Sequence, residues 1–214
     1  MSVLSGRAGL LSSAAISVVG VIALSSSSAA LASCVVSAGT VVCGTTTTTD
    51  TTNAGATPAV DRQYPTVTSG AAFTGTVSSG ATVNGLGLAF TNTAGGANAL
   101  NVVNNGDVQV DSGYTPTQGG SAAISVSAID ATPVNYSGTG NLVNLGTGDG
   151  LDIATTGSGA IFANIGGDVT ATGPASGGIV LSSSGTGANL QLTTSSGRTI
   201  RSGGVVGEYL VITN

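Results

Sequence analysis

The stretch GDGLDIA (Gly148–Ala154) places glycines directly before apolar residues on alternate positions. The same arrangement recurs in GGANALNV (Gly95–Val102), GGSAAISV (Gly119–Val126), GGIVL (Gly177–Leu181) and GGVVGEYLVI, which opens at Gly203. The first large apolar residue of each copy marks steps of 24, 27, 28 and 27 residues along the series Leu100, Ile124, Leu151, Ile179 and Val206. The chain therefore carries a loose internal repeat.

A repeat of this length with one short alternating strand per copy is typical of a solenoid, because one unit cannot bury its apolar row alone whereas a stack of units can. Alternation sends Leu151 and Ile153 to one side of a strand and Asp152 to the other. We therefore predict an all-β protein built as a parallel β-helix, with rungs of roughly 24–30 residues. The inward residues fill the interior and the outward residues face water.

A second marker supports the repeat. It consists of a glycine, a polar residue and an apolar residue, and its copies start 34, 27 and 30 residues apart. They read GDVQV at Gly106, GNLVNL at Gly140, GDVTA at Gly167 and GRTI at Gly197. Because the two markers keep pace with each other, the repeat extends beyond a bias in composition.

Composition points the same way and excludes some functions. Hydrophobic residues make up 41% of the 214 residues, charged residues only 6% and aromatic residues 3%, which is the opposite of a disordered chain. Thirty-five glycines suit narrow rungs with a turn at each corner. Four arginines stand against nine acids for a net charge of −5, so nucleic acid is excluded as a partner.

The first 32 residues have the parts of a secretory signal. Arg7 supplies positive charge, an apolar run follows from Ala14 to Leu24, and small residues end at Ala32. The apolar run is shorter than the roughly 20 residues that span a bilayer as a helix. We predict export, with cleavage between Ala32 and Ser33.

The two cysteines, Cys34 and Cys43, follow directly after that site. In an oxidising compartment we expect them to form a disulfide that closes a small loop. An alternative is that the sequence from Leu31 to Cys34 acts as a bacterial lipobox, which would make Cys34 the lipidated first residue of a lipoprotein. Residues 33–69, including a threonine run from Thr45, are predicted to form a Cys-loop and a low-complexity neck or cap before repeats at 70–214.

Candidate catalytic residues are few. The chain has no histidine, which removes the usual general base and metal ligand. The remaining option on a β-helix is a carboxylate pair, for which Asp149 and Asp152 are closest in sequence and Asp107 and Asp111 come next. We interpret these acids as solvated residues of the outer face and predict no catalytic residue, no metal site and no cofactor.

Several stretches together resemble the start of a Gram-negative autotransporter passenger. They are the signal peptide, CVVSAGTVVCGTTTTTD from Cys34, GLAFTNTAGGANALNVVNNGDVQV from Gly87 and GDGLDIATTGSGAIFANIGGDVTATG from Gly148. The resemblance implies a right-handed parallel β-helix that crosses the outer membrane through a C-terminal β-barrel translocator. It also implies an adhesin at the cell surface or outside the cell, with a partner on a host or neighbouring cell, in the extracellular matrix or among its glycans.

The sequence departs from that family at its end, because residues 211–214 lie inside what reads as another rung, without barrel strands or a polar cap. We therefore expect more chain to follow, with the barrel in it. Two alternatives remain at this point. One is a polysaccharide-cleaving β-helix enzyme that uses Asp149 and Asp152, and the other is an outer-membrane surface protein anchored by a lipid on Cys34.

Overall fold

The computed structural model describes residues 34–37, 39–44, 49–50, 63–67, 73–85, 87–111, 122–174, 176–203 and 210–213. The predicted signal peptide at 1–32 lies outside these ranges. Within them the chain is all-β: it forms nineteen strands and no helix. We number the strands β1 to β19 in chain order.

The strands form three sheets, in which every pairing is parallel except that of β1 with β2. Sheet I contains β1 (Val35–Ser37), β2 (Thr40–Cys43), β5 (Phe73–Val77), β8 (Leu100–Asn104), β11 (Val134–Gly138), β14 (Ile161–Ile165) and β17 (Leu190–Thr194). Sheet II contains β3 (Thr49–Asp50), β6 (Thr82–Gly85), β9 (Asp107–Val110), β12 (Leu142–Asn144), β15 (Val169–Ala171) and β18 (Ile200–Arg201). Sheet III contains β4 (Gln63–Val67), β7 (Leu88–Asn92), β10 (Ile124–Ala128), β13 (Leu151–Thr155), β16 (Ile179–Ser183) and β19 (Leu210–Thr213).

From β2 onward the chain visits sheets I, II and III in turn, and each strand pairs with the strand three places further along. We call each set of three consecutive strands a rung. Residues in register on neighbouring rungs are 25 to 36 positions apart: Val83 pairs with Val108, and Leu88 pairs with Ile124. The predicted 24–30 was therefore too narrow, since the connections at the corners differ in length from rung to rung.

Alternation within the strands places the apolar core between the sheets. In sheet III the inward row contains Leu88, Ile124, Leu151 and Ile179, all with no exposed surface. Sheets I and II supply equivalent rows, Phe73, Leu100, Val134 and Ile161 in one and Val83, Val108, Leu142 and Val169 in the other. The stack buries residues of neighbouring rungs against one another, which a single rung could not do.

Side-chain size is matched across the interior. Phe90 of sheet III fits over Gly75 of sheet I, where an added Cβ would lie 2.4 Å from the ring. The Phe90 ring also packs against Phe73, with ring centroids 6.1 Å apart and a tilt of 50°. Because both rings are buried, a small residue at position 75 is a requirement of packing.

The first sequence marker was partly wrong. Ile124, Leu151 and Ile179 are in register in sheet III, as predicted. Leu100, however, belongs to sheet I, and the sheet III partner of Ile124 in the preceding rung is Leu88. At the other end Ile179 pairs with Leu210, whereas Val206 lies outside the described residues.

The second marker is confirmed. Val108, Leu142, Val169 and Ile200, the apolar residues of its four copies, are in register in sheet II. Four strands, β1 to β4, lie within the predicted neck at 33–69, and β2, β3 and β4 each pair with the following rung. The sheets therefore reach into that segment.

Candidate functional site

The polar residues that lead into sheet II form a ladder along one corner of the stack. Asp107 accepts hydrogen bonds through Oδ1 from the backbone N–H and the side-chain amide of Asn141, at 3.2 and 3.0 Å. Asn141 Oδ1 accepts from the backbone N–H of Asp168 at 3.0 Å, and Asp168 Oδ1 accepts from that of Thr199 at 2.9 Å. Each side chain thus binds the backbone of the next rung, which explains the polar position of the second marker.

This ladder accounts for Asp107, a candidate from the sequence. Asp111 lies beyond the opposite end of β9, where its Oδ1 accepts a hydrogen bond from Gln109 Nε2 at 3.3 Å. Four residues of strand separate the two acids by about 13 Å, at about 3.3 Å per residue. The structure therefore does not bring Asp107 and Asp111 together.

Asp149 and Asp152 lie near each other at the start of β13. Asp149 precedes the strand, and its Oδ1 accepts a hydrogen bond of 2.6 Å from the backbone N–H of Gly177 in the next rung. Its carbonyl oxygen accepts from the backbone N–H of Ala123 in the preceding rung at 3.1 Å and from Asn144 Nδ2 at 2.9 Å. Asp149 therefore links three rungs.

Asp152 points outward from sheet III between Ser125 and Val180 and is only partly exposed. Burial raises the pKa of Asp152 from 3.8 to about 6, and the negative charge of Asp149 acts in the same direction. One acid is thus held by an N–H donor and the other favours its protonated form. Such a contrast is the arrangement that general acid–base chemistry uses.

We predict that Asp152→Asn stabilises the protein at neutral pH. Because the folded-state pKa lies above the ordinary value, the folded state binds more protons between pH 4 and 6, and the free energy of unfolding falls as the pH rises through that window. The shift corresponds to at most about 3 kcal/mol above pH 6. Urea unfolding at pH 3.5 and pH 7 measures it: the variant should gain stability over wild type only at pH 7.

Asp130→Asn is the matched control for that experiment. Asp130 is exposed in a turn and adopts a left-handed backbone with φ of 56°, which asparagine also tolerates. Its substitution should leave the difference between the two pH values unchanged. An equal effect of both substitutions would show that overall charge, rather than the site of Asp152, is responsible.

The two cysteines form a disulfide at the start of the described chain. Cys34 and Cys43 lie at adjacent positions of the antiparallel pair β1–β2, with Cα atoms 4.1 Å apart. Both residues are buried within the core cluster. The bond uses the Cys34 sulfur that lipid attachment would require, so the two modifications exclude each other.

The outer face of sheet I carries no ionisable side chain on its five full-length rungs. Its outward residues are Thr74, Thr76, Asn101, Val103, Asn135, Ser137, Phe162, Asn164, Gln191 and Thr193. The strands of sheets II and III, by contrast, carry Asp107, Arg201 and Asp152. Sequence inspection missed this face because its residues come from strands 27 to 34 positions apart.

An open depression of about 230 Å³ lies on this face around Phe162. Phe162 is in register with Asn135 on one side and with Gln191 on the other, and its side chain is 39% exposed. Asn164 and Thr193 complete the polar rim. Among the aromatic side chains that the structure describes, only that of Phe162 is exposed.

One buried polar group stands out in the interior. The side-chain amide of Asn104 is fully buried and has no hydrogen-bond partner in the described structure. The nearby Tyr136 phenol does not reach hydrogen-bonding geometry with it. Burial raises the pKa of Tyr136 well above its usual range, and the Asn104 amide opposes that shift.

Within the described ranges, no three cysteine or acidic side chains gather as a metal site would require. The same part of the chain contains no helix of the length and apolarity needed to cross a membrane. Comparison with models of known protein families found no match. Searches of curated proteins and of solved structures found no similar chain.

Proposed function

We propose that this chain is the N-terminal part of an autotransporter passenger, folded as a right-handed parallel β-helix. In this proposal it is exported by a Gram-negative bacterium and displayed at the cell surface or released from it. The chain acts there as an adhesive stalk, and its outer faces contact a host cell, a neighbouring cell or the extracellular matrix. An outer-membrane β-barrel belongs to the same secretion route.

The observation that carries this proposal is the regular pairing of each strand with the strand three places along. A stack of six rungs, counted over the described residues, provides three long outer faces on a scaffold that needs no ligand to fold. Repetitive faces of this kind suit contact with an extended surface. The resemblance to passenger sequences supplies the cellular setting.

The roles of the acids support a non-catalytic function. The carboxylates of Asp107, Asp149 and Asp168 accept hydrogen bonds from backbone N–H groups of the following rung. A carboxylate held in this way stabilises the stack at the position where a catalytic acid would need to face substrate. We therefore assign most of the described acids to the architecture.

Adhesion of coated beads tests the proposed function. Beads carrying the folded chain should bind to epithelial monolayers and to matrix-coated surfaces several-fold more than beads carrying albumin or the heat-unfolded chain. Equal retention of all three kinds of bead would contradict the proposal.

Polysaccharide cleavage is the second candidate, and it is favoured by one observation, the raised pKa of Asp152 beside Asp149. If the pair acts as acid and base, the wild-type chain should release reducing ends from a polysaccharide panel between pH 5 and 6. Asp152→Asn should then abolish release and Asp130→Asn should not. An inactive wild-type chain on that panel would remove this candidate.

A further inference from the structure

An exposed phenylalanine needs no explanation by itself, since monomeric proteins commonly expose single apolar side chains. Phe162 differs because of its surroundings. It rises from the floor of a depression, at the middle of three adjacent strands, and the residues in register with it, Asn135 and Gln191, are both amides. Neighbouring strands lie about 4.8 Å apart, so the ring is flanked on both sides by polar groups within one strand spacing.

The polar groups on this rim have hydrogen-bonding capacity to spare. Within the described structure, the side chains of Asn164, Gln191 and Thr193 take part in no hydrogen bond. Asn135 donates through Nδ2 to Asn101 Oδ1 at 2.9 Å, which holds the amide plane along the face and leaves its own oxygen as an acceptor. Amides and a hydroxyl provide donors and acceptors together, as a ligand with many hydroxyl groups requires.

Charge narrows the class of ligand. The outward positions of the five full strands of sheet I contain no acid and no base. Without a cation the face has nothing to pair with phosphate, sulfate or carboxylate groups, and the net charge of −5 repels anionic polymers. Without an anion on the face, a cationic peptide has no counter-charge there either. An uncharged ligand complements this surface best.

We propose that the outer face of sheet I around Phe162 binds a neutral saccharide. The ring of Phe162 packs against the apolar face of one pyranose, and Gln191, Asn164 and Thr193 form hydrogen bonds with its hydroxyl groups. An apolar platform with a few placed polar groups is the usual composition of a small-molecule site. The proposal deepens the proposed adhesive function, on which it rests for its biological setting, by naming the ligand class.

Saturation-transfer NMR on the full chain tests this site with three neutral probes, cellohexaose, maltohexaose and N-acetyllactosamine, and with a heparin hexasaccharide as the anionic comparison. We expect transfer to at least one neutral probe and none to heparin. Phe162→Ala should weaken the affinity at least tenfold, and Phe162→Tyr should retain it. Leu145→Ala is the matched control, because Leu145 is equally exposed at 39% and lies outside the depression.

Absence of transfer to every neutral probe, or transfer that Phe162→Ala leaves unchanged, would overturn the proposal. Concentration-dependent self-association that Phe162→Ala abolishes would overturn it too, by assigning the face to a second copy of the chain. The bead assay separates this inference from the proposed function. If Phe162→Ala beads still adhere while wild-type beads bind no saccharide, adhesion stands and the saccharide site fails. If saccharide binds and no bead adheres, the reverse holds.

Discussion

Gly140→Ala should destabilise the protein by about 3 kcal/mol or more, at the upper end of the range for overpacked sites. A Cβ at this position would lie 1.9 Å from the carbonyl oxygen of Gly106 in the preceding rung and 2.8 Å from Asn104 Nδ2. The Gly140 N–H also donates to the Asn104 carbonyl at 2.9 Å, so the strand cannot retreat without breaking that bond. The loss should appear as a lower urea midpoint.

Gly44→Ala provides the control for this prediction. Gly44 is exposed, no heavy atom would lie within 4 Å of an added Cβ, and its φ is not in the left-handed region. Alanine there should leave stability unchanged or raise it by about 0.4–1 kcal/mol, through a smaller entropy of the unfolded chain. Equal midpoints for the two variants would mean that the rungs are not stacked in contact at the Gly106–Gly140 corner.

Ile161→Ala and Phe162→Ala should differ sharply although the residues are neighbours in β14. Ile161 is fully buried in the inward row between Val134 and Leu190, so its truncation should cost about 2–5 kcal/mol. Phe162 points outward, and its truncation should change stability by about 0.5 kcal/mol or less. Guanidinium unfolding curves of the two variants measure the difference.

The comparison is sensitive to register. A slip of one residue would send every side chain of β14 to the opposite face and would reverse the order of the two effects. A larger loss from Phe162→Ala than from Ile161→Ala would therefore contradict the assignment of the inward row. The expected result also establishes that Phe162→Ala is folded, which the saccharide experiment requires.

Local signals in the sequence were enough to predict the class of fold. Leu151 and Ile153 alternate with polar residues after a glycine, and the sheet III row from Ile124 to Ile179 follows from that pattern. The Gly140–Asn141 type of marker was reliable because its two residues have fixed tasks. The glycine allows close approach to the preceding rung, and the polar side chain binds the backbone of the next rung.

Assignment of strands to sheets was less predictable. Leu100 follows a glycine pair as Leu151 follows its glycines, yet the two lie in different sheets, because glycines serve at more than one corner. Ile161 of sheet I follows Ala160 rather than a glycine pair, so no marker revealed its row. The strand alone does not carry this information; the variable corner lengths decide which sheet it joins.

The face around Phe162 could not be derived from the sequence for a related reason. Its neighbours Asn135 and Gln191 are distant along the chain, and only the register of β11, β14 and β17 brings them together. Asp149 and Asp152 were identified from their proximity in sequence. Only the structure gave the bond from Asp149 to Gly177, which ties that carboxylate to the next rung.

Long-range backbone NOEs test the stacked-rung account most directly. The account predicts cross-peaks between amide and α protons of Ile124–Ala128 and Leu151–Thr155, and between Leu151–Thr155 and Ile179–Ser183, in the parallel register that pairs Val126 with Ile153 and Ile153 with Leu181. Cross-peaks that join strands consecutive in sequence as antiparallel hairpins, with none between residues 27 or 28 positions apart, would contradict it.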